Sequence, residues 1–253
     1  MDPHPETVVS DGRREAGWPI LFAHRGASGR APENTIEAFR LAVDLGATGL
    51  ETDTWLSADG IPMLVHDRTY RRPGRRVAVT GSTAAIMRGD GIPTLSDLYA
   101  AVGADRPISI DLQHPEVVRA VIVTVAEVGC LDRLYACSAD LSLLAAVRRL
   151  DGTVHLVHST RPRRVPEGLP ARIALLAERG IEVLNITWRD WTPDLIERAR
   201  DAGLRPFAWD AHTVEGIERA LDLGVDAIYS DHPDLLVAAA ATRPPAGAGL
   251  GRA

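Results

Sequence analysis

The chain has 253 residues, of which 45% are hydrophobic and 25% charged, and its formal net charge is -6. This length and composition fit one large globular domain, because single α/β barrels reach this size before the core must divide. The acidic balance argues against nucleic acid and anionic membrane surfaces as partners. The basic side chains are all arginine, so cationic chemistry must come from arginine, histidine or a bound metal.

The two ends of the chain differ in character from the middle. Residues 1–19 are polar and acidic and lack the basic start and apolar stretch of a signal peptide or membrane anchor. We therefore predict an N-terminal extension, no stable membrane insertion and a cytoplasmic location. Residues 242–253 are rich in Pro, Gly and Ala and are predicted to be a disordered tail. The single expected domain covers residues 20–241.

Between these ends, short runs of Val, Ile and Leu alternate with longer stretches of helical period. This alternation is typical of a parallel sheet with crossover helices. In chain order, the predicted strands cover residues 20–25, 49–56, 108–112, 134–138, 154–158, 183–187, 205–209 and 227–230. The helices predicted to follow them cover residues 34–45, 95–102, 117–128, 141–150, 171–179, 193–202, 214–223 and 234–241.

The second unit is the irregular one. Asp59 and Gly60 separate the strand 49–56 from another extended run at 62–66, and a DG dipeptide in such a place is a hairpin signal. A polar loop is predicted to lead from there to the next helix. Eight repeats with short loops fit a closed (β/α)₈ TIM barrel better than an open sheet. In such barrels the active site is built from loops at the carboxyl ends of the strands.

Polar residues at the strand ends concentrate in the first three units. Glu51 and Asp53 are two apart in one strand, so their side chains point to the same face. Two inward carboxylates repel each other, which favours a bound metal ion; a solvated strand end or an ion pair with Arg25 is the alternative. Asp111, at the end of the third strand, could add another oxygen ligand. An all-oxygen set favours Mg²⁺ or Ca²⁺ over Zn²⁺.

His24 and His66 lie at the ends of the first strand and of the run after the second. Either could transfer protons near neutral pH at the mouth of the barrel. A lone histidine is more often structural, but the neighbouring carboxylates favour a catalytic role. Five other histidines show no such neighbours in the sequence and are excluded from the site: His114, His155, His158, His212 and His232. The two cysteines are interpreted as buried reduced thiols without chemistry.

Four motifs, in this order, resemble the glycerophosphodiester phosphodiesterase family. They are HRGASGRAPENTIEAF from His24, ETD from Glu51, DG from Asp59 and HD from His66. Weaker similarity extends the match to about residues 20–237. The resemblance implies an enzyme that hydrolyses a small-molecule glycerophosphodiester to glycerol phosphate and an alcohol.

The resemblance also implies a role for each residue that matches a family motif. A divalent cation would be held at Glu51, Asp53 and Asp111. His24 and His66 match the acid/base pair, in which one histidine removes a proton from the attacking oxygen and the other protonates the departing alkoxide. The sequence does not assign the two histidines to these steps.

Three further positions are expected to contact the substrate. Arg25 would hold phosphate oxygens, Gln113 occupies a substrate-facing position at the end of the third strand, and Trp209 would present an aromatic wall, with plain barrel packing as the alternative for Trp209. Asn34 is predicted to have a structural role, as a cap at the start of the first helix.

The third strand departs from the family pattern. The family usually has Glu-x-Lys there, whereas this chain has Asp111 and Gln113, and losing one cationic contact to a phosphoryl oxygen can cost on the order of 10² to 10³ in rate. Another arginine could compensate, with Arg72 and its neighbours in the loop after His66 as candidates. The substrate could instead be a lipid-type diester, as in a phospholipase D-like enzyme. A weakened barrel that binds a phosphorylated ligand is the third possibility, and we favour an active enzyme of altered substrate range.

Overall fold

The computed structural model describes residues 19–243. Its strands and helices alternate for most of the chain. In chain order the elements are β1 (Ile20–Ala23), α1 (Ile36–Asp44), β2 (Gly49–Leu56), β3 (Pro62–Leu64), β4 (Thr69–Arg72), β5 (Arg75–Ala78), α2 (Ala84–Gly89), α3 (Leu95–Val102), β6 (Ile108–Leu112), α4 (Pro115–Val128), β7 (Leu134–Ser138), α5 (Leu141–Leu150), β8 (His155–Ser159), α6 (Leu169–Glu178), β9 (Val183–Thr187), α7 (Pro193–Asp201), β10 (Arg205–Trp209), α8 (Val214–Leu223), β11 (Ala227–Ser230) and α9 (Pro233–Ala241).

Eight parallel strands form a closed barrel. Their order around the ring is β1-β11-β10-β9-β8-β7-β6-β2, and the ring closes because β1 also pairs with β2. Ile20 lies opposite Ala227 on one side of β1, and Phe22 lies opposite Gly49 on the other. A side chain at position 49 would meet the Phe22 ring at 2.6 Å, so the closing pair requires glycine there. The predicted (β/α)₈ TIM barrel is confirmed.

The interior of the barrel is filled with aromatic side chains below the strand ends. Phe22 and Tyr229 stack with ring centroids 4.7 Å apart, and Tyr135 and Phe207 pack around them. The Tyr229 hydroxyl lies 3.1 Å from Ser109 Oγ. Because this core is packed rather than hollow, a ligand can enter only from the loops above it.

Most predicted ends of helices and strands agree with the structure. The periodicity of the apolar residues and the helix-capping residues indicate the same boundaries. The α3 helix begins with a capping box between Thr94 and Asp97, and Gly129 and Gly224 end α4 and α8 in the left-handed conformation. The first strand is shorter than predicted. It ends at Ala23 rather than Arg25, because the chain turns immediately afterwards.

The hairpin predicted at Asp59 and Gly60 is confirmed, since β3 runs antiparallel to β2 with Thr54 opposite Leu64. The polar loop predicted after it is wrong in part. Residues 69–78 form a second antiparallel hairpin, β4 with β5, and α2 follows. The hydrophobic alternation that would have revealed this hairpin is absent, because arginine occupies half of its strand positions.

The predicted terminal segments fall almost wholly outside the described residues. Residues 1–18 and 244–253 are not described, so the N-terminal extension 1–19, the tail 242–253 and the domain limits stay predictions. The cytoplasmic location also stays a prediction. Between residues 19 and 243, no helix combines the length and the apolar character needed to cross a membrane.

Candidate active site

A cavity of about 690 Å³ opens at the carboxyl ends of the barrel strands. Its walls come from the segments that follow most of the eight strands. All eight residues singled out from the sequence line it: His24, Arg25, Glu51, Asp53, His66, Asp111, Gln113 and Trp209. The closed ring therefore brings together side chains that are distant along the chain.

Three carboxylates form a compact cluster on the floor of the cavity. Asp53 lies opposite Asp111 on the neighbouring strand, and Glu51 is on the same face of β2. One oxygen from each carboxylate lies within 4.8 Å of the others. Glu51 and Asp53 are only 5% and 2% exposed. Three oxygen ligands so close together, two of them buried and that of Asp111 half-buried, fit a hard divalent cation.

The electrostatics of the cluster show the same need for a cation. Burial raises the pKa of Glu51 to about 8, and the charges of Asp53 and Asp111 add to the rise while His24 opposes it. Burial, followed by the charge of Asp53, raises the pKa of Asp111 to about 6. The cluster therefore holds protons near neutral pH unless positive charge offsets its carboxylates.

Arg25 supplies part of that positive charge from the first loop. Its Nε lies 3.0 Å from Asp53 Oδ2, its Nη1 donates to Glu33 Oε2 at 2.8 Å, and its backbone N–H donates to Glu51 Oε2 at 2.9 Å. The residue adopts the left-handed conformation, with φ 54. The ion-pair alternative is thus present in the structure, but one guanidinium cannot neutralise three carboxylates.

Asn34 and Gln113 also contact the cluster. Asn34 Nδ2 donates to Asp53 Oδ2 at 3.3 Å, and Thr52 Oγ1 donates to Asn34 Oδ1 at 2.7 Å. The predicted cap role of Asn34 is wrong, because the N-cap of α1 is Thr35 and Asn34 is a buried link to β2. Gln113 Nε2 donates to Asp53 Oδ1 at 3.1 Å, so its amide is directed at a carboxylate of the cluster.

His24 is fixed between two carboxylates. Its Nδ1 donates to Asp231 Oδ1 at 2.6 Å, and its Nε2 lies 3.8 Å from Glu51 Oε2. Burial lowers the pKa of His24, but Glu51 and Asp231 outweigh this and raise the pKa to about 9. Burial opposes the charged form of Asp231, yet the hydrogen bond and charge of His24 lower its pKa to about 2. The pair orients the ring with Nε2 toward the cluster.

Asp231 and His212 are residues of the cavity region that the sequence did not single out. The exclusion of His212 from the site is wrong, because this residue lines the cavity with its ring centroid 5.9 Å from that of His24. His212 Nδ1 accepts from the backbone N–H of Asp231 at 3.1 Å, and Nε2 lies 3.0 Å from Asp210 Oδ1. Burial lowers the pKa of His212. The position of Asp231 in the sequence could have identified it as a site residue, since it directly follows β11, the strand that pairs with β1.

His66 lies at the rim rather than on the floor. Its side chain is 45% exposed, and its Nδ1 is 3.0 Å from Asp67 Oδ1. Asp67 also accepts from Arg76 Nη2 at 3.1 Å, and Trp55 Nε1 donates to the His66 carbonyl at 3.0 Å. The backbone of this segment is thereby held beside β2 while the imidazole remains open to solvent.

The cationic residues of the rim differ from those expected. Arg72, the predicted replacement for a lysine, does not line the cavity and places its Nε 2.7 Å from Asp90 Oδ2. Arg161 and Arg164, in the segment after β8, line the cavity instead. The Arg161 guanidinium carbon lies 4.4 Å from the ring centroid of Trp209. None of the four candidate arginines after His66, namely Arg71, Arg72, Arg75 and Arg76, lines the cavity, so the structure does not support compensation from that loop.

A closed (β/α)₈ barrel with a buried carboxylate cluster and histidines at its carboxyl end defines the chain as a barrel enzyme suited to acid/base chemistry beside a cation. The sequence matches the model of the Glycerophosphoryl diester phosphodiesterase family over residues 24–235. The protein belongs to this family. The enzyme class expected from the motifs is thus confirmed.

Known proteins resemble this chain over most of its length. The Glycerophosphodiester phosphodiesterase of Caldanaerobacter subterraneus subsp. tengcongensis is 27% identical, over 86% of this chain and 96% of the relative. The crystal structure of glycerophosphodiester phosphodiesterase from Thermotoga maritima superposes with a TM-score of 0.77 at 25% identity, covering 87% and 97% of the two chains. An Oleispira antarctica phosphodiesterase, solved in complex with the product sn-glycerol-3-phosphate, shares the fold with a TM-score of 0.76 at 23% identity, covering 88% and 96%.

Proposed function

We propose that this protein hydrolyses a glycerophosphodiester to glycerol phosphate and an alcohol, with the help of a divalent cation. The observation that carries this proposal is the compact cluster of Glu51, Asp53 and Asp111 beside the oriented ring of His24. The family match supports the reaction. The names of the Caldanaerobacter relative and of the Oleispira product complex agree with it.

The three carboxylates would hold the cation. Their oxygen donors, their burial and the raised pKa values of Glu51 and Asp111 fit Mg²⁺ or Ca²⁺. When bound, the cation would offset the carboxylate charge and polarise a phosphoryl oxygen of the substrate. Arg25 would bind the same phosphoryl group, since it lies in the cavity wall beside Asp53.

The two histidines have different surroundings, His24 beside the carboxylate cluster and His66 at the exposed rim, and would therefore have different roles. His24 carries a proton at neutral pH and would give it from Nε2 to the departing alkoxide. His66 stands in solvent at the rim and would take the proton of the attacking water. The water oxygen then forms the new bond to phosphorus as the bond to the alcohol breaks. Trp209 would pack against the substrate, and Gln113 would hold Asp53 in position.

The test is a hydrolysis assay on a panel of glycerophosphodiesters after removal of bound metal and addition of Mg²⁺, Ca²⁺ or Mn²⁺. We expect activity only with added cation, and we expect His24→Ala and Glu51→Gln to abolish it. His114→Asn is the matched control, because this exposed histidine lies outside the cavity and the variant keeps an N-cap acceptor for α4. Binding of the diesters without turnover under every cation would refute the hydrolase proposal.

A further inference from the structure

We propose that Arg161 and Arg164 form an anion-binding subsite beside Trp209 that selects diesters whose alcohol carries a negatively charged group. This inference rests on the proposed hydrolysis and specifies its substrate class. Both arginines line the cavity, and both follow β8, where residues 162–164 make one turn of 3₁₀ helix. The subsite thus belongs to the same mouth as the carboxylate cluster.

Within the described part of the chain, Arg161 and Arg164 form no ion pair with an acidic side chain. Between residues 19 and 243, neither guanidinium lies within ion-pair distance of a carboxylate, whereas Arg25 and Arg72 each have an acidic partner. Outside the carboxylate cluster, the acidic residues of the cavity wall are Asp140 and Asp210, and both contact partners other than these arginines. Asp140 accepts from the Ser142 backbone N–H and hydroxyl at the start of α5, and Asp210 lies beside His212. Unpaired cations in a cavity wall favour an anionic ligand.

Trp209 strengthens the charge preference. An indole face would ordinarily attract a cationic group such as a quaternary ammonium. Here the Arg161 guanidinium already lies 4.4 Å from the ring centroid, so any alcohol that packs on Trp209 also lies close to a permanent positive charge. A cationic alcohol is repelled there, and a carboxylate or phosphate can pair with the planar guanidinium.

The barrel topology separates this subsite from the reacting phosphate. In the closed ring, β8 is four strands away from β1 in either direction. Arg161 therefore stands across the mouth from His24. The reacting phosphate must lie beside His24 and the carboxylates, so the opposite rim contacts a substituent of the diester. The glycerol moiety is uncharged and common to all glycerophosphodiesters. A positively charged rim therefore distinguishes substrates by the charge of their alcohol.

The test compares three phosphodiesters that share the glycerophosphate half and differ in the charge of the alcohol: choline is cationic, a second glycerol is uncharged, and glycerate carries a carboxylate. We expect the wild-type kcat/KM to favour the carboxylate substrate over the choline substrate by on the order of tenfold or more, mainly through KM. Arg161→Gln should lose most of this preference. Arg163→Gln, a neighbouring exposed arginine outside the cavity, should keep it.

Salt dependence gives a readout that needs no variant. The wild-type preference should shrink as ionic strength rises, because the Debye length shortens. Arg161→Lys is a second variant for the case in which Arg161→Gln folds poorly. It keeps the positive charge and should therefore retain the preference for the carboxylate substrate. Equal kcat/KM for the carboxylate and choline substrates, or a preference unaffected by salt and by Arg161→Gln, would overturn the subsite while leaving the hydrolase proposal intact.

A protein that cleaves none of the three substrates would contradict the proposed function itself. The subsite then has an independent readout, the calorimetric affinity of the same three diesters for the wild type and for Arg161→Gln. Tighter binding of the carboxylate diester that is lost in the variant supports the subsite. Equal affinities refute it.

Discussion

His24 and Asp231 form the pair that sets the state of the catalytic proton. The Nδ1 to Oδ1 distance is 2.6 Å, and Ser28 Oγ donates to the same Asp231 oxygen at 2.9 Å. An aspartate in this position selects the tautomer of the histidine and stabilises its protonated form. Asp231 acts through His24, so it is a positioning residue in the proposed mechanism.

We expect Asp231→Asn to lower kcat by about tenfold or more and to move the alkaline limb of the pH–rate profile to lower pH. The variant keeps a hydrogen-bond acceptor for His24 but removes the negative charge that raises its pKa. The measurement is kcat as a function of pH. Asp234→Asn is a suitable control, since Asp234 lies on α9 and pairs with Arg30 in the loop between β1 and α1. An alkaline limb that does not move would show that Asp231 does not tune the proton of His24.

Gln113 allows a direct test of missing charge near the cluster. Arg25 is engaged by Glu33 and Asp53, and the Gln113 amide contacts Asp53 without adding charge. We expect Gln113→Lys to raise kcat/KM on a glycerophosphodiester with an uncharged alcohol by about tenfold, because an added cation stabilises the developing phosphoryl charge. Gln113→Leu, similar in size but without a donor, should lower activity. No gain with lysine would mean that other cations already supply this charge.

At the scale of elements, the loop between β1 and α1 carries His24 and Arg25 and is held by close packing. Gly26 has φ 79, and a Cβ there would come within 2.7 Å of the backbone carbon of Ala38 on α1. Gly60, in the turn between β2 and β3, has φ 78, but a Cβ built on it would have no atom of another residue within 4 Å. The two glycines share a conformation and differ in crowding.

We expect Gly60→Ala to lower the free energy of unfolding by about 1 kcal/mol, the conformational cost alone. Gly26→Ala should cost about 3 kcal/mol or more, because α1 must also shift to relieve a backbone clash. It should reduce kcat as well, since the loop holds His24. Urea unfolding and activity assays on both variants measure the difference. Equal destabilisation would show that crowding by α1 is unimportant.

The elements that sequence reasoning placed well are those with redundant signals. Strand β2 combines an apolar run with two inward carboxylates, and α3 combines apolar period with a capping box, so both were predicted with their observed bounds. The β4 and β5 hairpin lacked an apolar pattern. Asn34 was misassigned because its left-handed conformation, φ 56, and its contact with Asp53 depend on tertiary packing.

The whole barrel explains which site residues were predictable. Glu51 and Asp53 share one strand, so their common face follows from local geometry. His24 and Asp231 are 207 positions apart and meet only because β1 pairs with β11. Arg161 and Trp209 likewise come from different units. Contacts of this kind depend on ring closure, and a single sequence carries no local sign of them.

The carboxylate cluster also links cation binding to the stability of the whole molecule. Glu51 and Asp111 have folded-state pKa values raised to about 8 and 6, from reference values of 4.5 and 3.8. The folded state therefore binds more protons than the unfolded state in this range. Stability from these groups is fully present below about pH 4 and is lost as pH rises through 6 and then 8. His24, with its pKa raised from 6.5 to about 9, adds to this loss from about pH 6.5 upward.

We therefore expect the metal-depleted protein to become less stable between pH 5.5 and pH 8, and added divalent cation to reverse this loss. Because a cation needs deprotonated carboxylates, its stabilisation should be larger at pH 8, reaching about 2.7 kcal/mol at a hundredfold excess over Kd. Thermal unfolding at both pH values, with and without cation, measures this linkage. Glu51→Gln is the control and should show little cation-induced shift at either pH. An equal shift of the wild type at pH 5.5 and pH 8 would mean that the cation binds away from these carboxylates.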